Sequence, residues 1–346
     1  MLMKNLMYLL GCVLFIGAGC NETKSTTQVD IDSSNDELTL AFYNVENLFD
    51  TENDPATADD EFTPTGEKEW TEERYADKLN KLAQVLSSLD DELPELIGLC
   101  EVENLKVVQD LVATGKLATG GYEIIHKDSP DGRGIDCAMI YRKSSIRMEN
   151  LDFFTAKLPS GDRPNTRYIV YGVGIKGNDS LHVFVNHWPS RGGGQVETEP
   201  NRMTMALLLK SKMDSLRAIN PDAKIVLMGD FNDHPNDKSI REILQASGKG
   251  DWPIYNFMDI MHKNGEGSYN YKGEWGALDQ FMCSRAVLNA QKGFSASENS
   301  ARIYKEDYLL YTAPDGNSSP NRTYGKNYYG GYSDHLPVVL QLDIRP

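Results

Sequence analysis

Along this chain, short runs of apolar and β-branched residues keep ending on a carboxylate, an amide or an imidazole, and that repetition constrains the fold most. The first run is Ala41-Phe42-Tyr43-Asn44-Val45-Glu46-Asn47-Leu48, and the second, Pro94 to Asn104, delivers Glu101 from an apolar strand. Then come Asn186-His187-Trp188, Gly229-Asp230-Phe231-Asn232-Asp233, Leu278-Asp279-Gln280-Phe281 and Ser333-Asp334-His335-Leu336-Pro337. One Asp or Asn at a strand end is ordinary turn chemistry. Six such ends in this order are not.

The strand signals fall at Leu38 to Asn44, Leu96 to Glu101, Ile135 to Tyr141, Arg167 to Gly172, Leu181 to His187, Lys224 to Gly229, Ala277 to Cys283 and Val338 to Leu342. Two helices stand out between them. Thr71 caps a segment in which Tyr75, Leu79, Leu82, Val85, Leu86 and Leu89 form one apolar stripe. A second helix runs from about Pro200, a favourable first-turn residue, through Leu207, Leu208 and Met213 to Ile219. Several strands are too close in sequence for helical crossovers, so hairpins and mixed sheets are expected. The reading is a layered α/β fold. Long surface loops are expected at 51–70, 191–199, 263–276 and 295–331.

With 40% hydrophobic and 25% charged residues in 346, the chain is neither a disordered acidic tail nor a fibrous repeat. Its net charge of −16 argues against a broad electrostatic footprint on nucleic acid. Bound divalent cations can still supply local positive charge for a phosphate ester.

Residues 1–20 have the layout of a secretory signal, with Lys4 before an apolar run and small residues leading to Cys20. Gly17-Ala18-Gly19-Cys20 looks like a bacterial lipobox, with Cys20 the acylated N-terminus of an exported, cell-envelope lipoprotein. Polar residues 21–36 then read as a disordered tether, and 37–346 as a single domain. The membrane is a partner through the lipid anchor only. Cys100, Cys137 and Cys283 sit in apolar runs and read as core thiols without a disulfide framework.

The ordered set of strand ends resembles the endonuclease/exonuclease/phosphatase superfamily, over about Leu38 to Asp343, with GDFND and SDHLP its most specific blocks. The resemblance implies a four-layer sandwich of two packed mixed β-sheets flanked by helices, deoxyribonuclease I-like, with the site at one edge. It also implies metal-dependent hydrolysis of phosphate esters by direct attack of water.

Hydrolysis of such an ester needs positioning, neutralised phosphoryl charge and a deprotonated in-line water. Hard oxygen ligands suit Mg²⁺, with Mn²⁺ as a substitute. By resemblance Glu101 is the principal metal ligand, Asn44 supports it and Asp334 is a second ligand; one or two metals both fit. Asp230 matches the residue that orients or deprotonates water, and Asn232 the donor to phosphate. His335 matches the histidine on the phosphoryl group, and Asp279 the carboxylate that fixes its tautomer.

His187 is read as a second imidazole; the resemblance to the deoxyribonuclease branch, where the matching histidine has a carboxylate partner, implies Asp136 in that role. Arg133 stands where apurinic endonucleases carry a Tyr and has the guanidinium to fork onto phosphate. Asn186 and Arg191 border the same loop, Tyr271 and Trp275 are expected on one cleft wall, and Tyr324, Tyr328 and Tyr329 on a facing one. His126, His182, His234 and His262 are read as non-catalytic.

The expected partner is a phosphate-ester substrate, nucleic acid included, and a monomer is favoured. A phosphodiesterase or nuclease leads the reading. A phosphomonoesterase, a lipid-headgroup phosphodiesterase or a non-catalytic envelope binding protein stands as the alternative, the last opposed by the intact Glu101, Asp230, Asn232, Asp279 and His335 set.

Overall fold

Successive strand residues face opposite sides of a sheet. Leu181, Val183 and Val185 accordingly enter one apolar core while Phe184 between them enters another. The computed structural model describes residues 37–159 and 165–346, so the expected signal (1–20) and tether (21–36) lie outside the described residues. In chain order these form β1 (Glu37–Leu48), α1 (Glu72–Leu86), β2 (Leu96–Val102), α2 (Leu105–Val112), β3 (Tyr122–His126), β4 (Asp136–Arg142), β5 (Arg147–Phe154), β6 (Ile169–Lys176) and β7 (Asp179–His187). They continue with α3 (Gln195–Ile219), β8 (Ile225–Asp230), β9 (Ala246–Ser247), β10 (Ile254–Asn256), α4 (Met258–Lys263), β11 (Tyr269–Tyr271), β12 (Glu274–Gly276) and β13 (Asp279–Ser284). Last come β14 (Gly293–Ser295), β15 (Ala301–Ile303), β16 (Leu310–Thr312), β17 (Ser318–Pro320) and β18 (Val338–Arg345).

Two seven-stranded sheets result, one ordered β14-β18-β1-β2-β4-β3 with β15 also on β18, the other β5-β6-β7-β8-β13-β10-β9. Both are mixed: β1–β2, β7–β8 and β9–β10 pair in parallel and the remaining neighbours antiparallel. Between the sheets lies a core that includes Phe42, Cys100, Met139, Val185, Met228, Phe281 and Leu340. The opposite face of the first sheet packs Tyr43, Ile97, Leu99 and Ile140 against Leu79, Leu82 and Val85 of α1 and Val108 of α2. The opposite face of the second packs Phe184 and Leu227 against Met205, Leu209 and Met213 of α3. The four-layer sandwich follows from this alternation, each fully buried Leu or Val contributing about 1.5–3 kcal/mol.

All eight strands read from the sequence are present. Thr71 caps α1 from extended backbone, its side chain accepting from Arg74 N at 3.4 Å. Cys100, Cys137 and Cys283 are buried and free. The start of α3 departs from expectation, because the helix begins at Gln195 and Pro200 lies inside it. Arg202 holds that early turn, donating to Gln195 O at 2.9 Å and Thr198 Oγ1 at 2.8 Å while its guanidinium pairs with buried Asp233 at 2.6 Å. Two expected loops contain paired strands, β11–β12 within 263–276 and β15, β16 and β17 within 295–331. Among the described residues no helix is long and apolar enough to cross a membrane.

Gly98 of β2 sets how closely the sheets approach. A Cβ there would lie 3.0 Å from Met228 Sδ and Val185 Cγ1 and 3.1 Å from Phe42 Cδ2, contacts on both sides of the inter-sheet core. A Gly98→Val variant is expected to lose about 1–3 kcal/mol through overpacking, read as a lower urea midpoint at an unchanged m value.

Candidate active site

Topology brings the polar strand ends together. The parallel pairs β1–β2 and β7–β8 finish at one end of the sandwich, and β13 and β18, antiparallel to β8 and β1, begin there. In the second sheet His187, Asp230 and Asp279 are direct neighbours across three strands. From the first sheet, Asn44 Nδ2 donates to Glu101 Oε1 at 3.3 Å and to Asp230 Oδ2 at 3.2 Å, so one amide joins carboxylates of both sheets.

Local irregularities aim these groups. Pairing of β2 shifts between Cys100 and Val102, and Glu101 adopts φ +63°. Such a bulge re-aims a side chain at a strand end, and here it turns Glu101 to accept from Asn47 N at 3.0 Å. Gly229 has φ +155°, and a Cβ there would stand 2.3 Å from Asn186 O, so only glycine fits before Asp230. Beyond it, Asn232 at φ +51° donates its backbone N–H to Asp230 Oδ1 at 2.9 Å and its side-chain amide to Trp188 O at 2.9 Å.

His335 Nδ1 lies 2.6 Å from Asp279 Oδ2, and its Nε2 is 4.0 Å from Asp230 Oδ2. Ser268 fixes the carboxylate, donating its hydroxyl to Asp279 Oδ2 and accepting from Asp279 N at 3.2 Å. Burial opposes charge on His335, but Asp279, through charge and hydrogen bond, outweighs it and raises the imidazole well above its ordinary value. Burial pushes Asp230 up to about 7, with Asp279 and Glu101 adding to the rise and His335 opposing it. His187 goes the other way: burial first, then Arg167 and Arg133, hold it well below its ordinary value. Its Nε2 lies 3.7 Å from Asp230 and 3.8 Å from Glu101, and its buried Nδ1 has no hydrogen-bond partner.

The donor set fits a hard divalent cation. Ligand atoms of Asp230, Asp279 and His335 lie within 4.8 Å of one another, but His335 Nδ1 and Asp279 Oδ2 hold each other at 2.6 Å, so the Asp230 carboxylate is the member of this group left for a cation. Glu101, at 16% side-chain exposure, adds a carboxylate that reaches solvent. Oxygen-rich, negatively charged and open to solvent at Glu101, these carboxylates have the character that hard cations take as ligands.

Other sequence expectations fare differently. Asn44 turns Oδ1 to Glu46 N at 3.0 Å and presents its amide nitrogen to the carboxylates, so it brackets Glu101 rather than offering an oxygen to a metal. Asp136 does not pair with His187; its carboxylate takes His126 Nε2 at 3.1 Å and Ser129 N at 2.9 Å, because β3 lies beside β4. Asn186 is fully buried, donating to Met228 O and accepting from Trp188 Nε1, which leaves it no route to substrate. Arg191 is spent on Asn232 O at 2.7 Å, Asp233 and Asp237.

Asp334 pairs with Arg322 at 3.2 Å and stands 4.0 Å from His335 Nε2. Arg133 stays 38% exposed in its side chain beside Asp131. Tyr271 is exposed, whereas Trp275 lies on the other face of the β11–β12 hairpin with Lys305 Nζ 3.8 Å from its ring centroid. Tyr324 and Tyr328 do not form a facing wall: they pack on Trp70 and Arg74 beside α1.

Sequence reasoning missed three supports. Buried Arg167 donates to Asp131 Oδ2 at 2.9 Å and Trp188 O at 2.5 Å, steadying the carbonyl that also holds Asn232. Ser268 and the buried Lys78, which donates to Thr323 Oγ1 and Tyr332 O at 2.6 Å each, complete the set. Lys78 sits in the α1 stripe register between Tyr75 and Leu82, a cation on an apolar face and the one signal available.

The family model for endonucleases, exonucleases and phosphatases matches residues 39–344, and the chain belongs to that family. Its members are phosphoester hydrolases. Similar solved structures include a humanized TDP2 from D. rerio, with TM-score 0.56 and 13% identity over 89% of this chain and 100% of that one. A mannosyl-6-phosphatase of Bacteroides thetaiotaomicron aligns with TM-score 0.54 and 18% identity over 88% and 99%. The human Nocturnin catalytic domain aligns with TM-score 0.53 and 14% identity over 89% and 94%. These likenesses show the shared fold. No curated protein matches the chain by sequence.

If Asp279 and Ser268 act together on His335, Asp279→Asn should lower kcat on any accepted ester by ~10²-fold or more. Ser268→Ala should cause a smaller loss, since Asp279 remains. Equal losses in the two variants, measured with folding checked by circular dichroism, would contradict this ordering.

Proposed function

We propose that the chain hydrolyses phosphate esters by direct attack of water, using Mg²⁺ or Mn²⁺. The observation that carries this reading is the convergence of Asp230, Glu101, His187 and the Asp279–His335 pair at one end of the sandwich. Asp230 is the group to orient the water and take its proton as the new P–O bond forms, with Asn232 N holding the other carboxylate oxygen. His335, kept cationic by Asp279, faces the developing phosphoryl charge. His187, kept neutral, has one ring N–H to give to a phosphoryl oxygen. Arg133 supplies an exposed guanidinium nearby. Glu101, with Asp230 and Asp334 at hand, would hold the cation, which when bound neutralises phosphoryl oxygens.

A mannosyl-6-phosphatase shares this fold, which supports a phosphomonoester as one substrate class within its range. A phosphodiester, nucleic acid included, is one substrate reading; a small monoester or a lipid headgroup is the other, favoured by the net charge of −16. Hydrolysis of plasmid DNA, bis-p-nitrophenyl phosphate and p-nitrophenyl phosphate tests both. EDTA should abolish turnover and Mg²⁺ or Mn²⁺ restore it, while Asp230→Ala should lose ~10²–10⁴-fold in kcat. Turnover of long DNA should fall steeply with salt and that of small esters should not. Metal-independent turnover, or a fully active Asp230→Ala, would sink the mechanism.

The proposal also places the mature chain at the cell envelope through an acylated Cys20, resting on the Gly17-Ala18-Gly19-Cys20 pattern. Cys20→Ser should move the protein from the membrane fraction to the soluble one in a cell fractionation.

A further inference from the structure

The β11–β12 hairpin is attached to the catalytic pair at several points. Ser268, just before it, bonds Asp279, and Ser268 O accepts from Leu336 N at 2.7 Å. Tyr269 forms a β-bridge with His335, and its ring lies 4.8 Å from the imidazole, centroid to centroid. Such anchoring makes the hairpin a rigid extension of the site rather than a free loop.

Its pleat then dictates what stands further out. Residues two apart share a face and are spaced ~7 Å along a strand, so Tyr271 rises on the same side as Tyr269, one step beyond the imidazole. Glu274 pairs directly with Tyr271 and shares that face, and it too is exposed. Gly276 pairs with Tyr269, and a Cβ there would meet His234 Cε1 at 2.3 Å, so His234 closes the inner end of the same face. The Tyr271 side chain is 61% exposed although its neighbours hold it in a strand.

We propose that Tyr271 and Glu274 form the subsite for the alcohol half of the ester, and that this alcohol is a sugar ring, so that the preferred substrate is a sugar phosphate. The inference rests on the phosphoester-hydrolase reading above. An exposed tyrosine face stacks on the C–H face of a ring and supplies contact area at low entropic cost. The adjacent carboxylate is an acceptor-only group that two neighbouring hydroxyls can satisfy. Lys272 Nζ stands over one side of the Tyr271 ring, 5.1 Å from its centroid, which leaves the opposite side for a ring to stack on. A ringless ester would leave the tyrosine unused.

The test compares phosphate release from glucose 6-phosphate and from glycerol 3-phosphate by the Mg²⁺-loaded wild type, Tyr271→Ala, Tyr271→Phe and Glu274→Gln. In Tyr271→Ala the ratio of kcat/KM for the hexose ester over the glycerol ester should fall at least ~10-fold, about 1.4 kcal/mol of discrimination. Tyr271→Phe should keep the ratio and Glu274→Gln should lower it through KM. An unchanged ratio in Tyr271→Ala, or a wild type that prefers the glycerol ester, overturns the proposal.

A second readout stands apart from turnover. In an Asp230→Asn background with Mg²⁺, saturation-transfer NMR should show contact to the hexose ring protons that Tyr271→Ala removes; no such contact also overturns the proposal. Turnover that survives Asp230→Ala would instead strike at the hydrolase mechanism, so the two failures are distinguishable.

Discussion

Asn44 donates one amide nitrogen to a carboxylate from each sheet, and the remaining polar groups of the site are arranged around that bridge. Placing Glu101, Asp230 and Asp279 close together in a buried setting is unfavourable unless donors and cations answer them. The fold answers at short range. Backbone N–H groups of Asn47 and Asn232 take one oxygen each, Ser268 binds Asp279, and His335 supplies positive charge. The deficit that remains is what a divalent cation would meet.

A second buried charge network stands behind the first. Glu46 accepts from Thr323 N at 2.6 Å and pairs with Arg322 at 3.0 Å, and burial pushes it up to about 7. Burial pulls Lys78 down to about 8 while Glu46 and Asp334 oppose the fall. Through Thr323 and Tyr332 these groups fasten the segment before Ser333 onto α1. Ser333 Oγ then donates to Asn44 O at 2.6 Å, which carries the restraint to the bridge itself. Structure far from the reacting atoms thus fixes where His335 stands.

Much of this was legible in the sequence, for physical reasons. Period-two alternation in Leu181 to His187 and the three- and four-residue stripe of α1 are strong signals because each buries one face. The site's main residues end such strands, so finding the strands located them. Of the supports that act through side chains from distant segments, only Lys78, a cation on the apolar stripe of α1, leaves a pattern. Asp136 is expected beside His187 by resemblance alone, yet strand β3, which leaves no clear signal of its own, supplies His126 as its partner. Pro200 read as a helix start because its missing N–H costs least there, but Arg202 bonds stabilised an earlier beginning. Trp275 and Tyr271 looked alike in sequence, and only the hairpin register separates their faces.

Each sheet carries half of the polar constellation: Asn44, Glu101 and His335 come with the first, His187, Asp230 and Asp279 with the second. Strand pairing within each sheet lines up its own half but does not bring the two halves together. It is the packing of Gly98 against Met228 and Val185 that sets their separation. A chain with both sheets formed but not yet docked would therefore hold every functional residue and no site. Recovery of activity on refolding would time the closing of the sandwich, an event that secondary-structure probes would pass over.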